Sequence, residues 1–262
     1  MTYVADGTDR QRLNVFFPEK SAKPLPLIVW IHGGAWSAGS KDHCPAMRLL
    51  EDGYAVASVT YRFSQHGVFP AQIEDCRAAI RWLRGHAAEL NIDPTRIGAW
   101  GSSAGGHLVA LLGVAGDHAA WDKGENLDQS ARVQAVVNWF GPADLLTMGA
   151  QSDSDSRIKH DDANSPESRL IGGAVQEQKE KARAASPVTY ATEDDAPMLL
   201  MHGDRDELVP HAQSIELRDA LQKAGAEATL QTLPGAGHGS GDFGKRETFE
   251  AVRAFFALHL KK

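Results

Sequence analysis

From residue 25 onward the chain alternates between short, almost uninterrupted apolar runs and longer stretches in which apolar residues recur every three or four positions. The runs at 27–31, 55–60, 97–100, 133–140 and 198–201 show little alternation, as strands buried on both faces do. Shorter amphipathic strands are predicted at 13–17 and 228–233. Between them, Ile73, Cys76, Ile80, Leu83 and Ala87 mark one face of a helix running from Pro70 to about Leu90, with Asp93-Pro94 as its break. Further helices are predicted after Ser103, after Pro210 as "HAQSIELRDALQKAG" with Gly225 as the stop, and at the end as "RETFEAVRAFFALHL". Strands alternating with helices predict an α/β fold: a mostly parallel sheet of about seven strands with helices on both faces. No internal repeat interrupts this order, so 1–262 is read as a single domain.

One stretch departs from the pattern. Residues 149–181, including "QSDSDSRIKHDDANSPES", are polar and rich in Ser and Asp, which suggests an insertion rather than a layer of the sheet. A loop of that length in a compact domain favours a lid over a pocket.

Composition narrows the partners. A formal charge of -7, with no long basic run, gives no footprint for nucleic acid. No run of 18 or more apolar residues suggests a membrane span, and "MTYVADGTDRQRL" lacks the pattern of a secretory leader. The expected location is therefore the cytoplasm, although a leader trimmed upstream is compatible with this N-terminus. Cys44 and Cys76 form no Cys-x-x-Cys pair, and Cys76 falls on the apolar face of its helix, which reads as packing rather than reactivity.

The candidate chemistry begins at "AWGSSAGGH", residues 99–107. Gly101, Ser103 and Gly105 match Gly-x-Ser-x-Gly between a strand and a helix, the setting of a nucleophile on a tight turn. In such a turn the residues two before and two after the nucleophile approach closely and must be small. That selects Ser103; for Ser102 the same positions would be Trp100 and Ala104. Ser102 is expected instead to make a local hydrogen bond under the turn.

A serine hydroxyl needs an imidazole to take its proton and a carboxylate to orient that imidazole. Of 11 histidines, His238 stands in a glycine-rich loop, "LPGAGHGSGD", after the last strand. His32 and His202 end strands and are expected to brace loops, while His107 lies along the helix, pointing away from the turn. For the acid, "MLLMHGDRDELVP" offers Asp204, Asp206 and Glu207 at the carboxyl end of a strand, and spacing alone leaves Asp204 and Asp206 open. "IHGGAW" follows the first long apolar strand, so the N–H groups of Gly34 and Ala35, with that of Ala104, are the expected oxyanion donors.

Two decoys fall away on context. Gly239, Gly241 and Gly244 match a dinucleotide fingerprint, but no strand follows. "HDDANS" at 160–165 contains metal-ligating residue types, yet reads as a solvated loop; no metal and no cofactor are expected.

Together "IHGGAWSAGSKD", "FPAQIEDCRAAIRWLRGHA", "NIDPTRIGAWGSSAGGHLVALLG" and "MHGDRDELVP" resemble the α/β-hydrolase superfamily. They are similar to its small bacterial carboxylesterases, including feruloyl and acetylxylan esterases with a His-Gly-Gly-x-Trp segment. Hormone-sensitive-lipase-like esterases and kynurenine formamidases are related. The resemblance spans roughly 13–259 and implies Ser103 as nucleophile, His238 as general base and acid, and Asp206 as orienting carboxylate. It also implies that Trp36 forms part of the pocket wall and that a small lid lies at about 141–190. The acyl pocket is expected to depend on residues of that segment and on Val68, Phe69 and Trp36. The chain departs from the family pattern in starting almost at its second usual strand, so a shortened sheet edge is expected. The function implied is a serine carboxylesterase acting through an acyl-enzyme on short-chain, aryl or carbohydrate esters, as monomer or homodimer. The alternatives are an arylformamidase and a non-catalytic binding protein of the same fold.

Overall fold

A computed structural model describes residues 1–19, 21, 23–153 and 156–261. Ser154 and Asp155 of the polar stretch, and Lys262 of the domain read from the sequence, lie outside these. In chain order the elements are β1 (Leu13–Phe16), β2 (Leu25–Ile31), β3 (Ala55–Val59), α1 (Ala71–Gly85), β4 (Ile92–Ser102), α2 (Ala104–Val114) and β5 (Ala135–Trp139). Then follow α3 (Met148–Gln151), α4 (Pro166–Ile171), α5 (Lys179–Ala184), β6 (Met198–Gly203), α6 (Ala212–Ala224), β7 (Ala228–Leu233) and α7 (Arg246–Leu260). The strands form one seven-stranded sheet in the order β1-β3-β2-β4-β5-β6-β7. Only β1 is antiparallel to its neighbour; every other pair is parallel.

β2 shows why its sequence carries no alternation. Leu27, Val29 and Ile31 pack on one face with Ile73, Ile80 and Leu83 of α1 and Leu108 and Leu112 of α2. Ile28 and Trp30 pack on the other with Trp100, Trp139, Phe249 and Phe256. Each such side chain stabilises the fold by roughly 1.5–3 kcal/mol on burial. Within the second cluster Trp100 stands edge-on to Trp30 at 5.5 Å and to Trp139 at 4.8 Å.

Three boundaries differ from the sequence reading. α1 ends at Gly85, well before Asp93-Pro94. The chain then turns, with Leu90 N–H donating to His86 O and Ile92 N–H to Ala87 O, and Pro94 lies inside β4, in the stretch where its register with β2 shifts. Ala87 is still buried, so the apolar face persists past the last helical turn. Second, β4 is longer than expected at both ends. Third, the N-terminus adds an antiparallel bridge, Thr2 to Arg12, beside β1.

The helix stop at Gly225 is as expected, with φ +98°. Residues 141–190 lie between β5 and β6 and contribute no strand among the described residues.

α1 also carries buried charge. Arg77 and Arg81 both pair with Asp122 and donate to carbonyls of residues 115, 116 and 123, which fastens the helix to the segment after α2. Burial pushes the Cys44 thiol up to about 11 and raises that of Cys76, in keeping with thiols that pack rather than react.

Candidate active site

Five loops at the carboxyl ends of parallel strands meet in one place, where open α/β sheets build sites. After β4 the chain turns through Ser103, whose backbone is held at φ 53° and ψ -122°, a region that non-glycine residues rarely occupy. Its N–H donates to Trp139 O at 2.8 Å, anchoring the turn to β5. The glycine argument made on the sequence is visible in the packing. A Cβ on Gly101 would lie 2.3 Å from Gly105 O, and one on Gly105 would lie 2.0 Å from Ile31 O and 2.6 Å from His32 O. Since those are backbone atoms of the central sheet, Gly105→Ala must push the start of α2 away from β2. The expected result is a loss of about 3 kcal/mol or more in stability. A fall of about 100-fold in turnover from displacement of Ser103 should accompany it. Chemical denaturation and steady-state kinetics on the same preparation check both.

Ser103 Oγ lies 3.0 Å from His238 Nε2, and His238 Nδ1 lies 2.7 Å from Asp206 Oδ2. The choice left open by spacing is thereby resolved in space: Asp206, not Asp204, meets His238. Asp204 instead accepts from Gly235 N–H at 2.6 Å, and Arg205 N–H donates to Ala236 O at 3.0 Å, so the loops after β6 and β7 are stitched together.

The Asp206 side chain is fully buried. Its Oδ1 accepts from the N–H groups of Leu208 and Val209, both at 2.9 Å, and its Oδ2 from His238 and, at 3.2 Å, from His202 Nε2. Burial alone would raise its carboxyl. Hydrogen bonds from His202, His238 and Val209, with the charge of His238, outweigh that and hold it well below the usual carboxylate range.

His202 was expected only to brace a loop. It does so, with Nε2–H shared between Asp206 and Val209 O and Nδ1 accepting from the Ser214 hydroxyl at 2.7 Å, but it also touches the acid, which the sequence did not reveal. Phe140 is the other residue missed. It follows β5 with φ 41° and stands edge-on to the His238 ring at 4.6 Å. Its one sequence signal was its place just past the end of an apolar strand.

On the opposite side, Gly34 has φ +114°, while Ala35 and Trp36 have φ 51° and 52°. This turn leaves the N–H groups of Gly34 and Ala35, and the turn at Ser103 that of Ala104, without acceptors among the described residues, and all three residues line one cavity of about 580 Å³ with Ser103 and His238. Its remaining wall is largely apolar: Trp36, Phe140, Pro142, Ile158, Leu208 and Val209. Trp36 thus lines the cavity, but Val68 and Phe69 do not. Val68 is exposed and Phe69 stands edge-on to Trp121 at 5.5 Å. Ser102 also lines the cavity, and its hydroxyl makes no hydrogen bond among the described residues, contrary to expectation.

His107 holds Trp36 from below, accepting from the indole N–H at 3.1 Å through Nδ1 and donating from Nε2 to Ala185 O at 2.6 Å. Burial lowers its imidazole from 6.5 to about 4. The unfolded chain therefore takes a proton as pH falls through about 6.5 while the folded chain does not until about 4, so stability drops across that window. The contribution is on the order of 3 kcal/mol. Urea midpoints at pH 7 and pH 4.5 should differ less in His107→Gln than in the parent.

His32 donates from Nδ1 to Gly33 O at 2.7 Å and braces its loop as expected. His160 differs from the sequence reading: the "HDDANS" segment is not simply solvated, since His160 is 1% exposed and lies 3.1 Å from a Glu167 oxygen. The described residues contain no cluster suited to a metal ion. None of the described helices is long and apolar enough to cross a membrane.

A mostly parallel sheet bearing a serine on a glycine-flanked turn, with a histidine and an acid on later loops, defines an α/β-hydrolase. Residues 13–221 match the pattern described as BD-FAE, and the chain belongs to that family. Among known proteins, Esterase LipQ of Mycobacterium tuberculosis is 32% identical over 217 residues, 81% of this chain and 50% of LipQ. The chain spans about half the length of the curated relatives it matches. Among solved structures, a truncated form of a carbohydrate esterase from gut microbiota superposes with a TM-score of 0.91 at 34% identity, covering 100% of this chain and 95% of that one. The butyrate-bound esterase Est2 of Thermogutta terrifontis superposes with a TM-score of 0.74 at 28% identity, covering 94% and 86%.

Proposed function

We propose that the protein is a serine carboxylesterase that works through an acyl-enzyme on short-chain, aryl or carbohydrate esters. The observation that carries this reading is the continuous hydrogen-bonded line Ser103–His238–Asp206, opening into a cavity with three N–H groups that lack acceptors among the described residues. Ser103 Oγ attacks the ester carbonyl as its proton passes to His238 Nε2. The negative charge that develops on the carbonyl oxygen is held by the N–H groups of Gly34, Ala35 and Ala104. As the tetrahedral species collapses, His238 returns the proton to the departing alcohol. Water then enters, gives its proton to His238 and attacks the acyl carbon, and the carboxylic acid leaves as Ser103 regains its proton. Asp206 keeps Nδ1–H of His238 bonded throughout, which fixes the tautomer in which Nε2 is the acceptor. None of these steps calls on a cofactor.

The chain is read as one domain in which 141–190 serves as a small cap. Pro142, Ile158, Pro166 and Glu167 of that segment line the cavity, so it shapes substrate access. The family, and the naming of its relatives as esterases, support the reaction class.

One panel tests the reading: p-nitrophenyl esters from acetate to decanoate, methyl ferulate, acetylated xylan and N-formylkynurenine, with a fluorophosphonate probe alongside. Turnover of esters with covalent labelling at Ser103 is the expected result. N-formylkynurenine turned over faster than every ester would replace it with an arylformamidase. A folded protein that neither turns over nor labels would mark a non-catalytic member of the fold.

A further inference from the structure

His202 is built into the site more deeply than bracing a loop requires. Its ring, at the end of β6, is buried, and Nε2 lies 3.2 Å from Asp206 Oδ2 and 3.0 Å from Val209 O. Both neighbours only accept, so the ring proton sits on Nε2. Nδ1 faces the buried hydroxyl of Ser214, on α6, at 2.7 Å, the one hydrogen bond that hydroxyl makes among the described residues. The bond to Val209 O would suffice to hold the loop. The oxygen that His202 also reaches is the one that holds His238, whose Nδ1 lies 2.7 Å from Asp206 Oδ2. The hydrogen-bonded line that ends at Ser103 therefore begins at Ser214 and passes through both histidines and the acid between them. With the N–H groups of Leu208 and Val209 on Oδ1, Asp206 receives four donors, two on each oxygen.

We propose that His202, set by Ser214, is a positioning residue that fixes how far into acid His238 can serve as the base. This inference rests on the esterase reading and deepens it by naming what regulates the proton-transfer step. An N–H on Oδ2 draws charge from that oxygen and leaves less of it for His238 Nδ1–H. The imidazolium of His238 is then held less firmly: the free base persists to lower pH, and the imidazolium formed during attack is a stronger acid toward the departing alcohol. The Ser214 hydroxyl, by donating to Nδ1, polarises the His202 ring and strengthens its Nε2–H as a donor. Other titratable or charged groups face the two rings. His211 stands edge-on to His202 at 5.5 Å, Asp204 of the same loop and Arg218 of α6 act on His211, and Glu167 lines the cavity that His238 borders. Burial lowers the His211 imidazole from its ordinary value, so it is uncharged in the neutral range.

The test is the pH dependence of kcat/KM on p-nitrophenyl acetate in the parent and in variants. His202→Leu removes the donor, and the acid limb is expected to move up by about one pH unit, the scale of a lost hydrogen bond to a charged group. Ser214→Ala, which keeps the ring but loses the polarising hydroxyl, should move it the same way by less. His202→Gln, whose amide N–H reaches toward the place of Nε2, should bring the limb back toward the parent. His211→Asn should leave it in place. A limb that stays put or falls in His202→Leu, with kcat/KM lowered alike at every pH, would reduce His202 to packing and overturn the proposal. A limb moved by His211→Asn and not by His202→Leu would assign the sensitivity to His211 and do the same. The parent alone gives a second reading that needs no variant to fold. In isotope-labelled protein followed by NMR, the His202 proton should be found on Nε2, and its nitrogen signal should shift with the same midpoint as the acid limb, because Asp206 feels the charge on His238. A His202 signal that stays still through that limb, or a proton on Nδ1 alone, overturns the proposal. Failure of the esterase reading looks different: no turnover of the ester at any pH and no fluorophosphonate label.

Discussion

Replacing Ser103 by Ala is expected to lower kcat on p-nitrophenyl acetate by about 10⁶-fold and to abolish fluorophosphonate labelling, while the unfolding midpoint stays near that of the parent. The kinetic loss follows from removing the one oxygen that both faces the cavity and lies within hydrogen-bonding distance of His238 Nε2. The fold should survive because Ala keeps the Cβ already present, and the Ser103 N–H still donates to Trp139 O. Residual turnover would come from the N–H groups at Gly34, Ala35 and Ala104, which act without the nucleophile. Ser102→Ala is the matched control: its hydroxyl has no bond to lose among the described residues, so that variant should remain within about tenfold of the parent, the larger range reflecting its place in the wall.

Asp206→Asn should cost about 10⁴-fold in kcat for a different reason. Two backbone N–H groups, of Leu208 and Val209, point at Oδ1, so an asparagine would place its carbonyl oxygen there. The amide nitrogen would then face His238 Nδ1 and His202 Nε2, both of which now donate to a carboxylate oxygen. His238 would be driven to the tautomer with its proton on Nε2, which cannot accept from Ser103. Stability should change with pH as well. The folded carboxyl sits below its ordinary value near 4, so its contribution is present above that pH and is lost as pH falls toward the folded value. The variant should lack this part of the acid sensitivity, which urea titrations between pH 6 and pH 3 would read out.

The buried strands and the glycines around Ser103 were legible because their causes are local: apolar runs announce strands covered on both faces, and a tight turn excludes side chains two residues away. His238 was legible from its loop, and Asp206 only through resemblance, since Asp204 has the same residue type at the same strand end. What was hidden depends on approach across the chain. His202 looks like any strand-ending histidine until Asp206 turns back over it. His160 reads as solvated because its sequence neighbours Asp161, Asp162 and Asn164 are polar and exposed, yet the chain around it folds inward against Glu167. The end of α1 was misplaced because Ala87 continues the apolar periodicity in a stretch that is no longer helical.

The stitching between the loops after β6 and β7 has a consequence for how activity is lost on heating. Asp206 and His238 belong to one unit, tied through Asp204, Gly235, Arg205 and Ala236, whereas Ser103 and the N–H groups at 34 and 35 ride on the central strands β4 and β2. Among the polar side-chain contacts, the two halves of the catalytic line meet at a single hydrogen bond, Ser103 to His238. Displacing these two loops from β4 would therefore break the Ser103–His238 bond and leave the His238–Asp206 bond whole, so activity is expected to fall on heating before tryptophan fluorescence changes when both are followed on one sample.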